Sequence, residues 1–150
     1  MLSIRLIEDA DLDTIFQYQG DPESFKMATV RPKNWEDFSA HMARNRANPD
    51  SHIYTILDDQ RVVGYIVSWV IEGERMFGYW IGREYWGMGY ASGAVSHFLA
   101  EVPIRPLVAH VASTNIGSKR VLEKNGFRYV SVESVADEHF GNLELLKYQL

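Results

Sequence analysis

The amino-acid sequence predicts an α/β (α+β) fold in which one mixed sheet carries helices on both faces. Three observations lead to it. Segments with strand-like patterning alternate with segments of helical spacing in the order β-α-α-β-β-β-α-β-α-β-β. The stretch from Met76 to Val111 reads as strand, helix, strand, the crossover that joins parallel neighbours. The other strands follow one another through short turns, which join antiparallel neighbours.

Each element has its own signal. Leu2, Ile4 and Leu6 alternate with Ser3 and Arg5, a first strand, and Leu12, Ile15 and Phe16 then recur at helical spacing behind acidic residues. Asn34 is a good N-cap for a second helix. Glu36 and Asp37 follow in its first turn, Trp35, Phe38 and Met42 form its stripe, and Arg44 and Arg46 sit near its end before Pro49. His52 to Leu57 and Arg61 to Val70 are β-rich and are separated by Asp58-Asp59-Gln60, a hairpin signal. Met76 to Ile81 follows the turn Glu72-Gly73-Glu74. Ala91, Ala94, Val95, Phe98 and Leu99 then match the i, i+3, i+4, i+7, i+8 template of an amphipathic helix, and Pro103 and Pro106 bracket its end. Leu107 to Val111 is a short buried strand, and Asn115 to Lys124 is a helix closed by Asn125-Gly126. Strands near Arg128 to Glu133 and Leu143 to Tyr148 finish the chain.

Composition narrows the function. The chain has 150 residues, 46% of them hydrophobic and 23% charged, with no repeat or linker, so one domain over residues 1–150 is expected. A net charge of -5 argues against a nucleic-acid coat, which needs a basic face. With no cysteine, thiolate catalysis and Cys-ligated zinc are excluded, and no metal site is expected. The longest apolar stretch, Val62 to Ile71, is too short to span a bilayer, and the N-terminal segment is acidic where a leader would be apolar. A cytoplasmic protein that contacts neither membrane nor nucleic acid is expected.

The most informative segment is Gly78-Tyr79-Trp80-Ile81-Gly82-Arg83-Glu84-Tyr85-Trp86-Gly87-Met88-Gly89-Tyr90-Ala91, which runs from a strand into a helix through a glycine-rich turn. Such a turn makes an anion site, because glycine permits close backbone approach and the unpaired N–H groups of the first helical turn point outward. A Rossmann loop does not fit: the spacing is Gly87-x-Gly89-x-x-x-Gly93, and no acidic residue follows in Ala109 to Thr114. A Walker loop fails for want of Gly-Lys-Ser/Thr.

Trp86-Gly-Met-Gly-Tyr-Ala after a strand, followed by Asn115-Ile-Gly-Ser118 and Leu122-Glu-Lys-Asn-Gly126-Phe127, resembles the GNAT N-acetyltransferase family. The likeness is greatest to its ribosomal-protein N-terminal acetyltransferase-like branch. The family loop is Gln/Arg-x-x-Gly-x-Gly/Ala; Gly89 and Ala91 match, and Trp86 stands at the first position, a substitution common in that branch. The resemblance implies a single domain with a mostly antiparallel sheet of about six to seven strands, splayed between strands 76–81 and 107–111. It implies acetyl-CoA as acyl-donor cosubstrate, an amine acceptor, and a monomer or homodimer. The backbone of Tyr79, Trp80 and Ile81 would pair with the pantetheine arm as an added strand. The amides of Trp86, Gly87, Met88, Gly89, Tyr90 and Ala91 would hold the pyrophosphate, and Asn115 and Ser118 would contact the reactive end. Arg120 or Lys124 would meet the adenosine 3′-phosphate, or form a solvated basic face.

The family's usual acid, a Tyr on the last helix, is replaced here by Leu122, and the strand Glu of the branch by Phe77. Ser118 is the remaining candidate acid, although it also suits the first helical turn behind Asn115. Glu74, beside Glu72 in the turn, is the candidate base, with water or His41 as alternatives. The acceptor cleft would lie between Phe25 to Trp35, including Met27 and Arg31, and Ala136 to Asn142, including Asp137, Glu138 and His139. A non-catalytic acyl-CoA-binding module and a homodimeric interaction domain are the competing readings.

Overall fold

A computed structural model describes all 150 residues. Seven strands and five helices follow the expected order with one addition. The strands are β1 (Leu2–Leu6), β2 (His52–Asp58), β3 (Arg61–Ile71), β4 (Glu74–Ile81), β5 (Val108–Ala112), β6 (Arg128–Asp137) and β7 (Gly141–Gln149). The helices are α1 (Leu12–Gln19), α2 (Pro22–Ala28), α3 (Trp35–Ala47), α4 (Tyr90–Glu101) and α5 (Ile116–Lys124).

The addition is α2, which the sequence reading treats as part of the connection between two helices. Asp21 caps it, its carboxylate accepting from the Ser24 N–H at 3.1 Å and the Ser24 hydroxyl at 2.9 Å, and Pro22 opens the first turn. Thr29, at φ 53°, stops it. Seven residues give too little apolar periodicity to register as a helix, although the Asp-Pro start signal is present. The last strands are longer than expected because their hairpin continues pairing to Asp137↔Gly141.

One sheet runs in the order β1-β2-β3-β4-β5-β7-β6. Every neighbouring pair is antiparallel except β4 and β5, which are parallel and share the single register pair Met76↔Val108. Beyond that pair the two strands diverge, so the sheet is splayed where expected. The α4–α5 crossover joins β4, β5 and the strands after them and covers one face; α1, α2 and α3 lie on the other.

The two faces are packed unequally. Phe77, Ile81, Phe98, Leu107, Leu122, Phe127 and Tyr148 belong to a core of fifteen buried residues under α4 and α5. Phe77 stacks on Phe127 with ring centroids 5.4 Å apart. Burying each such side chain contributes about 1.5–3 kcal/mol, so this face is the rigid one. The other face has six, among them Ile15, Phe38, Met42 and Val67. There Asp11, 3% exposed, is held ionised by a bidentate bond from Arg5 at 2.7 and 2.9 Å. Burial works against the Asp11 charge, but Arg5, the Thr55 hydroxyl and the Glu8 amide together keep its carboxyl below the usual range. Gly64 lets β3 and β4 come close: a Cβ there would stand 2.0 Å from the Trp80 carbonyl oxygen.

Candidate active site

The loop after β4 turns on Gly87 and Gly89, at φ +77° and +80°, a region that L side chains rarely adopt. No atom lies within 4 Å of the place a Cβ would take at either position, so both glycines front an open cradle. The first α4 amide to find a carbonyl is that of Gly93, bonded to Gly89 O at 3.1 Å. The N–H groups from Gly87 to Ser92 therefore donate to no backbone acceptor. They stand at the positive end of the helix dipole and suit a diphosphate.

Side chains fasten this cradle from behind. The Trp86 indole donates to Ile81 O at 3.0 Å and folds the loop back on its own strand. The Tyr90 hydroxyl donates to the Asp58 carboxylate at 2.5 Å, and Arg61, 3.1 Å from Asp58, lies 5.4 Å over the Tyr85 ring. The Tyr90 bond, with further support from Arg61, holds the Asp58 carboxyl down at about 2. The β2–β3 turn thus positions the cofactor loop.

Between the diverging strands lies a cavity of about 560 Å³. Tyr79, Trp80, Ile81, Trp86, Gly87, Gly89, Tyr90, Ala91, Asn115 and Ser118 all line it. Met88 does not; its side chain is 61% exposed and points outward. The Gly82 N–H bonds to Val63 O at 2.8 Å. Strand alternation from there turns the main chain of Trp80 toward β3 and leaves that of Tyr79 and Ile81 facing the gap. One lone pair of Ile81 O is already taken by Trp86. Ser24, Met27 and Ala28 of α2 close one side of the cavity; Met27 and Ala28 belong to the stretch from Phe25 to Trp35 that was expected to border the acceptor, and Ser24 lies just outside it.

At the far end of the cavity the Tyr79 hydroxyl and Ser118 Oγ are 2.9 Å apart. The two roles weighed for Ser118 coexist, because its backbone N–H serves the Asn115 cap at 3.2 Å while its hydroxyl is left for Tyr79. The Asn115 side chain gives its oxygen to that cap and keeps its amide NH₂ for other partners. Burial pushes the Tyr79 phenol above its ordinary range and the Ser118 bond draws it back in part, so it is a protonated donor at neutral pH. From the sequence, Tyr79 was expected to act through its backbone alone. Its side chain was findable, since strand alternation puts Tyr79 on the same face as Phe77 and Ile81.

The other catalytic candidates lie elsewhere. Glu74 is at the opposite end of β4, paired with Ile71 and bonded to Lys147 at 3.0 Å. His41 bonds Asn45 at 3.1 Å on α3 and does not line the cavity. Phe77 and Leu122, where the family places polar groups, are both buried in the larger core. Arg120 and Lys124 are exposed on α5.

The acetyltransferase (GNAT) domain family matches residues 1–128. The chain belongs to this family. It is 28% identical over 134 residues to the uncharacterized N-acetyltransferase YnaD of Bacillus subtilis (strain 168), covering 85% of this chain and 79% of that protein. Its fold is similar to an N-acetyltransferase from Staphylococcus aureus Mu50, with TM-score 0.86, 18% identity, and 100% and 98% of the two chains covered. It is also similar to the spermidine N-acetyltransferase from Vibrio cholerae in complex with CoA and spermine, with TM-score 0.83, 17% identity, and 99% and 94% covered. At these identities the structural likeness is one of fold. The chain is an acyl-CoA-dependent N-acyltransferase. No helix of this GNAT domain is long and apolar enough to cross a membrane.

In the two segments expected to border the acceptor, Arg31 and Asp137 come within 3.8 Å and bridge the α2–α3 connection to the β6–β7 hairpin. Asp137 also accepts from the amides of Phe140 at 2.9 Å and His139 at 2.7 Å, which hold its carboxyl below the usual range. Trp35 packs edge-on against Phe16 at 5.3 Å and lies 5.8 Å from Phe38, so it belongs to the helix packing.

Proposed function

We propose that this enzyme transfers an acetyl group from acetyl-CoA to a primary amine, on a small molecule or a polypeptide N-terminus, by direct attack in a ternary complex. The observation that carries the reading is the single cavity joining two kinds of group. At one end are unpaired amides from Gly87 to Ser92, and at the other the Tyr79–Ser118 hydroxyl pair. Trp86 and Ser118 favour the ribosomal-protein N-terminal acetyltransferase-like branch.

When bound, acetyl-CoA supplies a thioester whose carbonyl carbon is the acyl donor. The Gly87–Ala91 amides would hold its diphosphate, and the exposed main chain of Tyr79 and Ile81 would pair with the amide-bearing arm as an extra strand does. The thioester would then lie near the point where β4 and β5 meet. Ser118 Oγ, hydrogen-bonded to Tyr79, donates a proton toward the departing sulfur, and Tyr79 replaces it. Holding both reactants at one point supplies most of the acceleration, so no covalent enzyme intermediate is needed.

The test is release of free CoA, read with a thiol reagent, from acetyl-CoA mixed with spermidine, an N-terminal peptide amine or an amino acid. Release with at least one amine well above the buffer rate is expected. Calorimetric binding of CoA with no release to any amine would refute the catalytic reading.

A further inference from the structure

We propose that Met27 sets which acyl groups this enzyme transfers. The part of the cavity under α2 takes the chain beyond the thioester, and its apolar, uncharged wall admits short neutral acyl groups and refuses anionic ones. This role rests on the acyl transfer proposed above and on the path the cavity takes through the sheet.

The cavity runs from one face of the sheet to the other. Ala91 of α4 and Val121 of α5 line it on one face, and Met27 and Ala28 of α2 line it on the other. β4 contributes to both parts. Tyr79 and Ile81 point with Phe77 toward the α4–α5 core, and alternation turns the Trp80 side chain the opposite way. The Trp80 indole donates to Tyr18 O at 3.2 Å, near the end of α1 and shortly before α2 begins. α2 itself packs on β5, so it stands over the opening that the parting strands leave.

An acyl chain has one way to go. An arm paired along Tyr79 and Ile81 would bring the thioester toward the Met76↔Val108 pair, where β4 and β5 come together and the gap ends. The α4–α5 face is filled there, since Phe77 stacks on Phe127 and Leu122 is buried in the same core. On the far face the Trp69 ring stands 3.8 Å from the place a Cβ of Gly78 would take and closes the floor. What remains is the space between Trp80 and α2.

The wall of that space offers apolar contact. Ser24 is 3% exposed and its hydroxyl already donates to Asp21, while the Trp80 N–H is spent on Tyr18. Met27 is 43% exposed although it lines a cavity, and its unbranched thioether adapts to an irregular space. No residue lining any part of the cavity carries a charge. An acetyl or propionyl chain would cover Met27, a butyryl chain would press on it, and a terminal carboxylate would be buried without a cation. The transfer balances for any of these groups. The nitrogen lone pair forms the C–N bond as the C–S bond breaks, the nitrogen proton goes to solvent, and the thiolate takes a proton from Ser118, which regains one from solvent.

The experiment measures kcat/KM for acetyl-, propionyl-, butyryl- and succinyl-CoA, with whichever of spermidine, a peptide amine or an amino acid wild type uses fastest. Wild type should take acetyl and propionyl within about 10-fold of each other and succinyl at least ~100-fold more slowly. Met27→Ala should raise butyryl relative to acetyl by ~10-fold or more with KM for the amine held. Met27→Lys, which puts a cation on the wall, should raise succinyl relative to acetyl by ~10-fold or more. Calorimetry without amine reads the same wall: propionyl-CoA should bind wild type about 4-fold more tightly than acetyl-CoA, the worth of one buried methylene, and M27K should lose that gain. Succinyl transfer as fast as acetyl transfer by wild type, an acyl ranking that neither variant shifts, equal binding of propionyl- and acetyl-CoA, or a variant effect confined to KM for the amine overturns the role of Met27. Wild type that binds these acyl-CoAs but transfers nothing to any amine overturns the enzymatic reading, and the calorimetric ranking then decides on Met27 by itself.

Discussion

Replacing Gly89 by glutamate tests the diphosphate cradle, because the structure separates the effects of the change. Gly89 is at φ +80°, and no atom lies within 4 Å of a Cβ built on it. The free protein therefore meets no clash, and its cost is the left-handed conformation, about 1–2 kcal/mol for an L residue. That cost appears as a lower Tm and does not depend on ligand. The new carboxylate, however, stands in the cradle. A carboxylate ~5 Å from one phosphate charge, in a medium between bulk water and a protein surface, is repelled by about 1–3 kcal/mol. A diphosphate doubles that, so the loss is at least ~2 kcal/mol, about 30-fold in Kd for CoA. Gly89→Asn supplies the control, since asparagine adopts the same backbone without charge. Titration calorimetry at low and high salt reads the difference, and salt should narrow the gap between Glu and Asn. S-acetylpantetheine, which lacks the phosphates, should be turned over by G89E as by G89N. A folded G89E that binds CoA like wild type refutes the cradle. Equal losses in G89E and G89N refute the electrostatic part of the argument.

Other changes follow from the same contacts. Tyr90→Phe removes the bond that ties the cofactor loop to Asp58, so KM for acetyl-CoA should rise several-fold with kcat nearly held, by steady-state kinetics. The Asp58 carboxyl sits at about 2 when folded against 3.8 when free. A lowered folded value means its stabilisation is complete above the free value and is lost as pH falls from about 4 toward 2. Thermal unfolding across that window should show the loss, and Asp58→Asn should flatten it. Phe77→Ala opens the stack under α4 and α5 and should cost about 3–5 kcal/mol in urea unfolding. Ser118→Ala and Tyr79→Phe should each lower kcat about 10- to 100-fold with KM for acetyl-CoA held.

Most of the fold was legible because its signals are local. Asn34 and Asn115 announce their helices and do cap them, and Asp58-Asp59-Gln60 announces a hairpin and does turn it. The anion loop was legible for the same reason, since a glycine pair at a strand-to-helix junction fixes its own geometry. What stayed hidden depends on residues far apart in sequence. The Tyr79–Ser118 contact spans 39 positions and the Tyr90–Asp58 bond 32, and no spacing rule reaches either.

The same division explains how the protein keeps its chemistry while Phe77 and Leu122 fill positions where the family places polar groups. Both side chains sit at the centre of the larger core, with Phe77 on Phe127 and Leu122 at 2% exposure, so a carboxylate or phenol there would lose packing and be buried as well. Proton transfer does not require particular elements, only a donor near the sulfur and an acceptor near the nitrogen. Tyr79 is on the same face of the same strand as Phe77, one alternation farther into the gap, and Ser118 is one helical turn before Leu122. A core position lost to packing on each element is thus matched by a hydroxyl at the next position that faces the cavity.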